Sequence, residues 1–269
     1  MSGDGLRLGI LGRPATHSLS PAIHNAALIA MGIMGTYEAW DVDAEGARVR
    51  LGEIRTGRFD GCNVTMPYKR LAFDVVDERS DLATRTGAVN TVTRADRVLI
   101  GHNTDVAGIT GAWARRKLPD EGPVLILGAG GAAAAAAVAL SDREIVVSAR
   151  CEDDANRLLD TTATAGRTVP WGTPIVGVVV NATPIGMNGE CHDRGLVDSA
   201  TGWFEMVYAH GETPGERQSR TDGKPVVSGT DMLVYQAIAA FELWTGKTPN
   251  IEVMLRALRA EERHRSDQQ

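Results

Sequence analysis

The residues best suited to chemistry in this chain are a lysine, an aspartate and a run of glycines. Lys69 ends the segment Asn63-Val64-Thr65-Met66-Pro67-Tyr68-Lys69, in which apolar or β-branched residues alternate with polar ones before Pro67. That pattern reads as a strand end running into a turn or helix start. Asp105 ends the polar triplet Asn103-Thr104-Asp105, downstream of Asn90. Strand ends in open α/β sheets are where ligands collect. A lysine in a partly dry pocket has a lowered pKa, and a nearby carboxylate steers its proton, so Lys69 and Asp105 form a candidate acid–base pair. For either residue alone a surface ion pair is the commoner role; a setting of small polar residues at an element boundary favours catalysis.

The glycines are Gly128-Ala129-Gly130-Gly131. Gly128-x-Gly130-x-x-Ala133 fits a dinucleotide fingerprint, with Gly128 for the tight turn and Gly130 and Gly131 for close approach of backbone to pyrophosphate at a helix start. The motif follows an apolar strand and opens a helix, which sets it apart from a bare glycine pattern. The next strand ends in Ser148-Ala149-Arg150 rather than in an acid. Arg150 offers a planar fork suited to a 2′-phosphate, so NADP is favoured over NAD. Glu152, Asp153 and Asp154 follow at once and would oppose a phosphate if they faced it. Acid–base groups in one half and a dinucleotide cradle in the other suggest an alcohol–ketone oxidoreductase.

Ser18-Leu19-Ser20-Pro21 reads as a helix start, with Ser20 as N-cap and Pro21 at the first helical position. Two hydroxyls at the positive end of a helix are able to hold a carboxylate, or simply to cap. His17 and His24 flank them and are read as structural.

These groups need elements to carry them. Strands are expected at Leu6–Leu11, Tyr37–Val42, Phe59–Thr65, Val124–Leu127, Glu144–Ser148 and Val176–Asn181, with a short one at Glu205–Tyr208, and a hairpin from Ala88–Thr93 and Val98–Ile100. Helices are expected at Pro21–Met31, in part of Leu71–Leu82, and at Asp105–Lys117, Ala132–Leu140, Met232–Trp244 and Ile251–Arg263. The alternation marks an α/β layer protein. Leu118–Pro123 is rich in breakers and leads into a βαβ unit; Gly211–Gly223, charged and glycine-rich, reads as a mobile surface loop, and Arg265–Gln269 as a frayed end.

With 269 residues the chain is long enough for two domains. Its net charge of −6 and lack of long basic runs argue against nucleic acid as a partner. No apolar stretch is long enough to span a membrane, and no signal peptide is expected at Met1–Gly5. Cys62, Cys151 and Cys191 match no zinc or CxxC spacing, so free thiols and a cytoplasmic location are expected, with no metal.

On these motifs the chain resembles the shikimate dehydrogenase family over nearly its whole length. Gly12-x-Pro14-x-x-His17-Ser18-x-Ser20-Pro21-x-x-His24-Asn25 is similar to the family's carboxylate motif, and Gly61-x-Asn63-Val64-Thr65-x-Pro67-x-Lys69 to its lysine motif. Gly87-Ala88-Val89-Asn90-Thr91, Gly101-x-Asn103-Thr104-Asp105-x-x-Gly108, Asn181-Ala182-Thr183-Pro184-Ile185-Gly186-Met187 and Met232-Leu233-Val234-x-Gln236 follow in the family's order. The resemblance implies two α/β domains: an α/β/α substrate-binding domain from 1–104 plus 237–269, and a Rossmann-like NADP-binding domain from 105–236. It implies reversible reduction of 3-dehydroshikimate by NADPH, on the route to chorismate and the aromatic amino acids. Ser18 and Ser20 would hold the substrate carboxylate, Thr65, Asn90 and Gln236 the ring hydroxyls, and Lys69 with Asp105 the reacting oxygen. Gly128, Gly130, Gly131 and Ala132 would cradle the pyrophosphate and Arg150 the 2′-phosphate, with Thr183, Met187, Tyr208, Gly229 and Met232 toward the nicotinamide.

The chain departs from the family at Ala149, Cys151 and Asp154, around the phosphate, and at His210, where a proline is common. Three alternatives stay open: an NAD-using quinate/shikimate dehydrogenase, a non-catalytic metabolite-binding protein, and another two-domain NADP enzyme such as a methylenetetrahydrofolate dehydrogenase. The expected partner is a small molecule, and the expected state a monomer or homodimer.

Overall fold

The computed structural model describes residues 5–208 and 211–267. The chain divides into two units, Met1–Thr104 with Gln236–Gln269, and Asp105–Tyr235. Gln236 thus belongs with the first unit, one residue ahead of the expected break at 237.

The first unit runs β1 (Leu6–Gly12), α1 (Ser20–Ala30), β2 (Gly35–Asp41), α2 (Ala44–Arg55), β3 (Gly61–Val64), α3 (Lys69–Val75), β4 (Glu78–Arg79), α4 (Asp81–Thr86), β5 (Thr91–Ala95) and β6 (Val98–His102). Its six strands form one sheet in the order β2-β1-β3-β5-β6-β4. β1 pairs in parallel with β2 and β3, whereas β5 is antiparallel to both β3 and β6. The antiparallel step puts Thr91 opposite Asn63 and His102 opposite Thr91. The ends of β1, β3 and β6 and the start of β5 therefore share one edge.

One face of this sheet is covered by α2 and its neighbours, where Leu51, Ile54, Cys62, Val64, Val92 and Leu99 are buried together. On α2 the apolar positions Ala47, Leu51 and Ile54 fall four and three residues apart, the spacing of one helix face. Asp43 caps that helix by accepting from Gly46 N at 2.8 Å.

The second unit runs α5 (Asp105–Arg116), β7 (Val124–Leu127), α6 (Gly131–Ala139), β8 (Ile145–Ser148), α7 (Glu152–Thr162), β9 (Gly166–Val169), β10 (Gly177–Asn181), α8 (Arg194–Ser199), β11 (Ala200–Glu205), α9 (Pro214–Thr221) and β12 (Val226–Val227). α10 (Gly229–Thr245) continues into the first unit, where α11 (Ile251–Ser266) follows. The strands form an all-parallel sheet ordered β12-β11-β10-β7-β8-β9. This is the doubly wound order of the Rossmann fold, with the switch point between β7 and β10. Val124–Leu127, Ile145–Ser148 and Gly177–Asn181 are buried throughout, as strands covered on both faces must be. On α6, Ala133–Ala137 are all buried, so small side chains let that helix sit close to the sheet.

The structure corrects several expectations. Gly211–Gly223 is not a loop: α9 occupies Pro214–Thr221 behind a Thr213/Glu216 capping box, and Glu216 and Ser219 are buried. The strand expected at Glu205–Tyr208 lies earlier, at Ala200–Glu205. The end at Arg265 is helical and tied down, because Arg265 donates to two backbone carbonyls of the first unit. Helix α1 begins one residue early, with Leu19 as N-cap and Ser20 inside the helix. The departure at His210, the end at Gln268-Gln269 and the leader positions Met1–Asp4 lie outside the described residues. Among the described residues no helix is long and apolar enough to cross a membrane.

Candidate active site

In the first unit the shared sheet edge gathers most of the expected substrate residues. Ser18 and Ser20 follow β1, Thr65 and Lys69 follow β3, and Asn90 precedes β5. Ser18 and Ser20 are both buried. Ser18 Oγ accepts the Ser20 N–H at 3.2 Å, which supplies the cap expected from Ser20 and leaves the Ser18 O–H to donate. The loop that carries them is fixed at both ends. Asp41 Oδ2 accepts from Ala15 N at 3.0 Å, and Arg265 donates to His17 O at 2.6 Å and to Ser18 O at 3.0 Å. Among the described residues the hydroxyls of Ser20 and Thr65 have no hydrogen-bond partner.

Thr65 is anchored by its backbone, which donates to Leu11 O at 2.8 Å and accepts from Tyr68 N at 2.9 Å. Lys69 is the first residue of α3 and half-buried, and its carbonyl accepts from Val89 N at 3.1 Å. Tyr68, beside it, is committed elsewhere: its hydroxyl donates to Val42 O at 2.8 Å.

Asn90 is 3% exposed, and its Oδ1 accepts from Thr104 N at 2.7 Å and from the hydroxyls of Thr91 and Thr104. Three donors on one oxygen fix the carboxamide's orientation. Asn103 is equally buried and donates to Thr86 Oγ1 and Ala88 O, holding the turn before Asn90. Asn103 belongs to the Gly101–Gly108 motif, which by itself assigns it no role. Gln236 lies half-buried in α10, and no hydrogen bond among the described residues ties it to this edge.

In the second unit Asp105 is the first residue of α5 and 1% exposed. A carboxylate in the first turn of a helix is favoured by the helix dipole. The expected cofactor residues follow the C-terminal ends of parallel strands. Gly128 follows β7, Arg150 follows β8, Thr183 follows β10 and Tyr208 follows β11.

Gly128 has φ +104, which only glycine adopts without strain, and its Cα lies against Ala182 O and the Thr183 methyl. The two cofactor motifs thus meet at the sheet's switch point, where ligands of this fold bind. Gly130 is the N-cap of α6 in extended conformation, with no side-chain cap and open space where a Cβ would stand. The first N–H groups of α6, from Gly131 and Ala132 onward, therefore face room for an anion.

Arg150 is exposed and has no ion pair among the described residues, while Asp154 pairs with Arg157 at 2.8 Å. One acid of the cluster is thus already matched by a base on its own helix. Gly229 packs against the backbone of Val207 and Tyr208, which joins those expected residues. Met187 is exposed, whereas Met232 is 6% exposed and packed in the apolar core of the unit with Val180 and Phe204.

Residues with no assigned part in the sequence reading hold this edge together. Asn181 donates to Ile185 O and to Glu205 Oε1, and its Oδ1 accepts from Thr183 N and Oγ1. Glu205 is buried and its pKa is pushed up to about 7 by burial, against the pull of its hydrogen bonds. A lone acid at a strand end, three residues before Tyr208, was the available signal.

Residues 10–92 match the family described as the shikimate dehydrogenase substrate binding domain, and residues 229–259 the shikimate 5′-dehydrogenase C-terminal domain. The chain is 37% identical over 273 residues to the shikimate dehydrogenase (NADP(+)) of Archaeoglobus fulgidus, covering 94% of this chain and 99% of that protein. It is similar to the crystal structure of shikimate 5-dehydrogenase from Thermus thermophilus in complex with NADP(H) and shikimate, with TM-score 0.87 and 37% identity over 95% of this chain and 99% of that one. It is also similar to quinate dehydrogenase from Corynebacterium glutamicum in complex with NAD, with TM-score 0.84 and 30% identity over 96% of this chain and all (100%) of that one.

Proposed function

The chain belongs to the shikimate dehydrogenase family, and from that premise we infer that it catalyses the reversible, NADP-dependent interconversion of shikimate and 3-dehydroshikimate. It is an oxidoreductase acting on a CH–OH group, in the shikimate pathway toward the aromatic amino acids. The observation that carries this is the first unit's sheet edge, where Ser18 and Ser20 follow β1, Thr65 and Lys69 follow β3, and Asn90 precedes β5. The first unit is the substrate-binding domain and the second the cofactor-binding domain.

The roles follow from the chemistry of the groups. Ser18 and Ser20 donate to the substrate carboxylate, since their hydroxyl hydrogens are not spent on the protein. Thr65, Asn90 and Gln236 hold ring hydroxyls. NADP, when bound, supplies the hydride acceptor for shikimate oxidation and, reduced, the hydride donor for the reverse. Lys69 stabilises negative charge on the reacting oxygen and carries its proton, which lowers the barrier because the ammonium is positioned beforehand. Asp105 is the second acid–base group and accepts from a substrate hydroxyl.

The residues present fit the cofactor. Gly128, Gly130, Gly131 and Ala132 offer backbone and open space to a pyrophosphate, and unpaired Arg150 offers a fork to the 2′-phosphate. Thr183, Met187, Tyr208, Gly229 and Met232 form the nicotinamide side, Met232 from within the core rather than at its surface. Free thiols and a small-molecule substrate fit a cytoplasmic enzyme, working as a monomer or homodimer.

One observation favours a second reading, an NAD-using quinate/shikimate dehydrogenase: Glu152, Asp153 and Asp154 all sit in the first turn of α7, directly after Arg150. The test of the function itself is NADPH formation on mixing shikimate, NADP and the protein. Binding of both ligands without formation of NADPH would make the chain a metabolite-binding protein instead.

A further inference from the structure

Thr183 and Met187 stand on a turn that runs from the end of β10, and its local hydrogen bonds, Ile185 N to Thr183 Oγ1 and Met187 N to Pro184 O, do not by themselves tie it to the rest of the sheet edge. The turn is held from beneath by one buried carboxylate. Glu205, the last residue of β11, accepts four hydrogen bonds. Its Oε1 takes Asn181 Nδ2 at 2.8 Å and Val207 N at 3.2 Å; its Oε2 takes Thr213 Oγ1 at 2.9 Å and Trp203 Nε1 at 3.2 Å.

Three of the four donors lead to the cofactor side, and Trp203 anchors the carboxylate to the core. Asn181 holds both Thr183 and the carbonyl of Ile185. Val207 precedes Tyr208 and touches Gly229. Thr213 caps α9 and packs its side chain against Gly186, which has φ +104. The carboxylate therefore ties together the ends of β10 and β11 and the start of α9.

We propose that Glu205 is a positioning residue for the cofactor: it fixes the Asn181–Met187 turn and the Val207–Tyr208 backbone in the shape that receives the nicotinamide end of NADP. The proposal rests on the NADP-dependent reading above. Asn181 Nδ2, Val207 N and Trp203 Nε1 can only donate, and the Thr213 hydroxyl donates here, so the site is matched to the ionised carboxylate; an amide would turn a donor toward a donor, and a carboxylic acid would require the Thr213 hydroxyl to turn round and accept. The match has a pH dependence, because burial raises the Glu205 pKa to about 7. NADP binding should weaken as pH falls through that value.

The other charged groups around it are few. On α9 Glu216, whose pKa burial also raises, accepts from Thr213 N, and Arg220 pairs with Glu212 just before the helix. After β10, Glu190 is held down to about 2 by hydrogen bonds from Asn188 and stays ionised. His192, against the Trp203 ring, has its pKa lowered by burial.

The test is calorimetric binding of NADP and, separately, of shikimate to the wild type, Glu205→Gln and Glu216→Gln at pH 8 and pH 6. At pH 8, Glu205→Gln should bind NADP about tenfold more weakly, the size of one hydrogen bond to a charged group, with shikimate unchanged. Between pH 8 and 6 the wild type and Glu216→Gln should lose more NADP affinity than Glu205→Gln. The phosphate of NADP itself titrates near 6, so the difference between proteins is what decides. NADP affinity within about twofold of wild type, or equal loss for NADP and shikimate, would overturn the proposal.

Should Glu205→Gln fail to fold, Thr213→Val removes one donor at nearly constant shape, together with the side-chain cap of α9. It should weaken NADP by about threefold and spare shikimate; no change would overturn the proposal. A wild type that binds NADP but does not oxidise shikimate defeats the proposed activity and leaves the Glu205 comparison intact. A wild type that binds no NADP defeats both.

Discussion

The guanidinium of Arg265 donates to the carbonyl of Ser18 at 3.0 Å, and its other amino group to His17 at 2.6 Å. The last turn of α11 thereby holds the loop proposed to bind the substrate carboxylate, and Glu261 steadies the arginine at 2.8 Å. Arg265→Ala should raise KM for shikimate by roughly five- to tenfold through loss of charge-assisted hydrogen bonds, discounted for partial exposure. KM for NADP should not move. Steady-state kinetics checks this, and an unchanged shikimate KM would show that the loop holds its shape unaided.

Lys69→Ala should lower kcat by roughly two to four decades, the usual worth of a positioned acid–base group. Shikimate binding, measured by calorimetry, should change far less, because the carboxylate and hydroxyl contacts remain. A variant with wild-type kcat would remove Lys69 from the chemistry.

Of the fold, the buried strands of the second unit were the most legible part. Val124–Leu127 was read residue for residue, because an unbroken apolar run flanked by breakers has few other uses. Helix α2 is not legible in the sequence, because Gly46, Gly52 and its charges obscure the spacing of Ala47, Leu51 and Ile54. The composition of Gly211–Gly223 predicts a loop where α9 forms, although Thr213-Pro214-Gly215-Glu216 spells a capping box. For the site, the motifs named the groups that face a ligand. They contain Asn103 without giving it a role and do not include Glu205 or Arg265, which act on other protein groups rather than on a ligand, and a motif carries no record of such pairings.

His24 gives a stability prediction with a definite sign. The ring is buried on α1, stacked 4.3 Å from Tyr37, and neither nitrogen has a hydrogen-bond partner. Burial pushes its pKa down to about 3, with Asn63 only partly opposing. The folded-state value lies below that of the unfolded chain, so the unfolded chain binds the proton first and stability is lost as pH falls from about 6.5 toward 3. At pH 5 the loss is about 2 kcal/mol. Denaturant titrations of the wild type and His24→Phe at pH 7 and 5 should show a smaller acid penalty in the variant; equal penalties would mean that His24 is not the group being protonated.

Arg150→Ala should weaken NADP by roughly tenfold or more while leaving NAD nearly unchanged, since only the 2′-phosphate differs. Cofactor titrations with each nucleotide check this. Equal effects on both would place the phosphate on another residue.

The most direct test compares kcat/KM for shikimate and quinate, each with NADP and with NAD, from initial rates at the reduced-nicotinamide absorbance. Shikimate with NADP should exceed shikimate with NAD by at least about tenfold, as expected if Arg150 alone provides the charged hydrogen bond to the phosphate, and should also exceed both quinate pairs. Comparable rates with NAD or with quinate would contradict NADP-dependent shikimate oxidation as the specific activity, and would turn attention to Glu152, Asp153 and Asp154 at the start of α7.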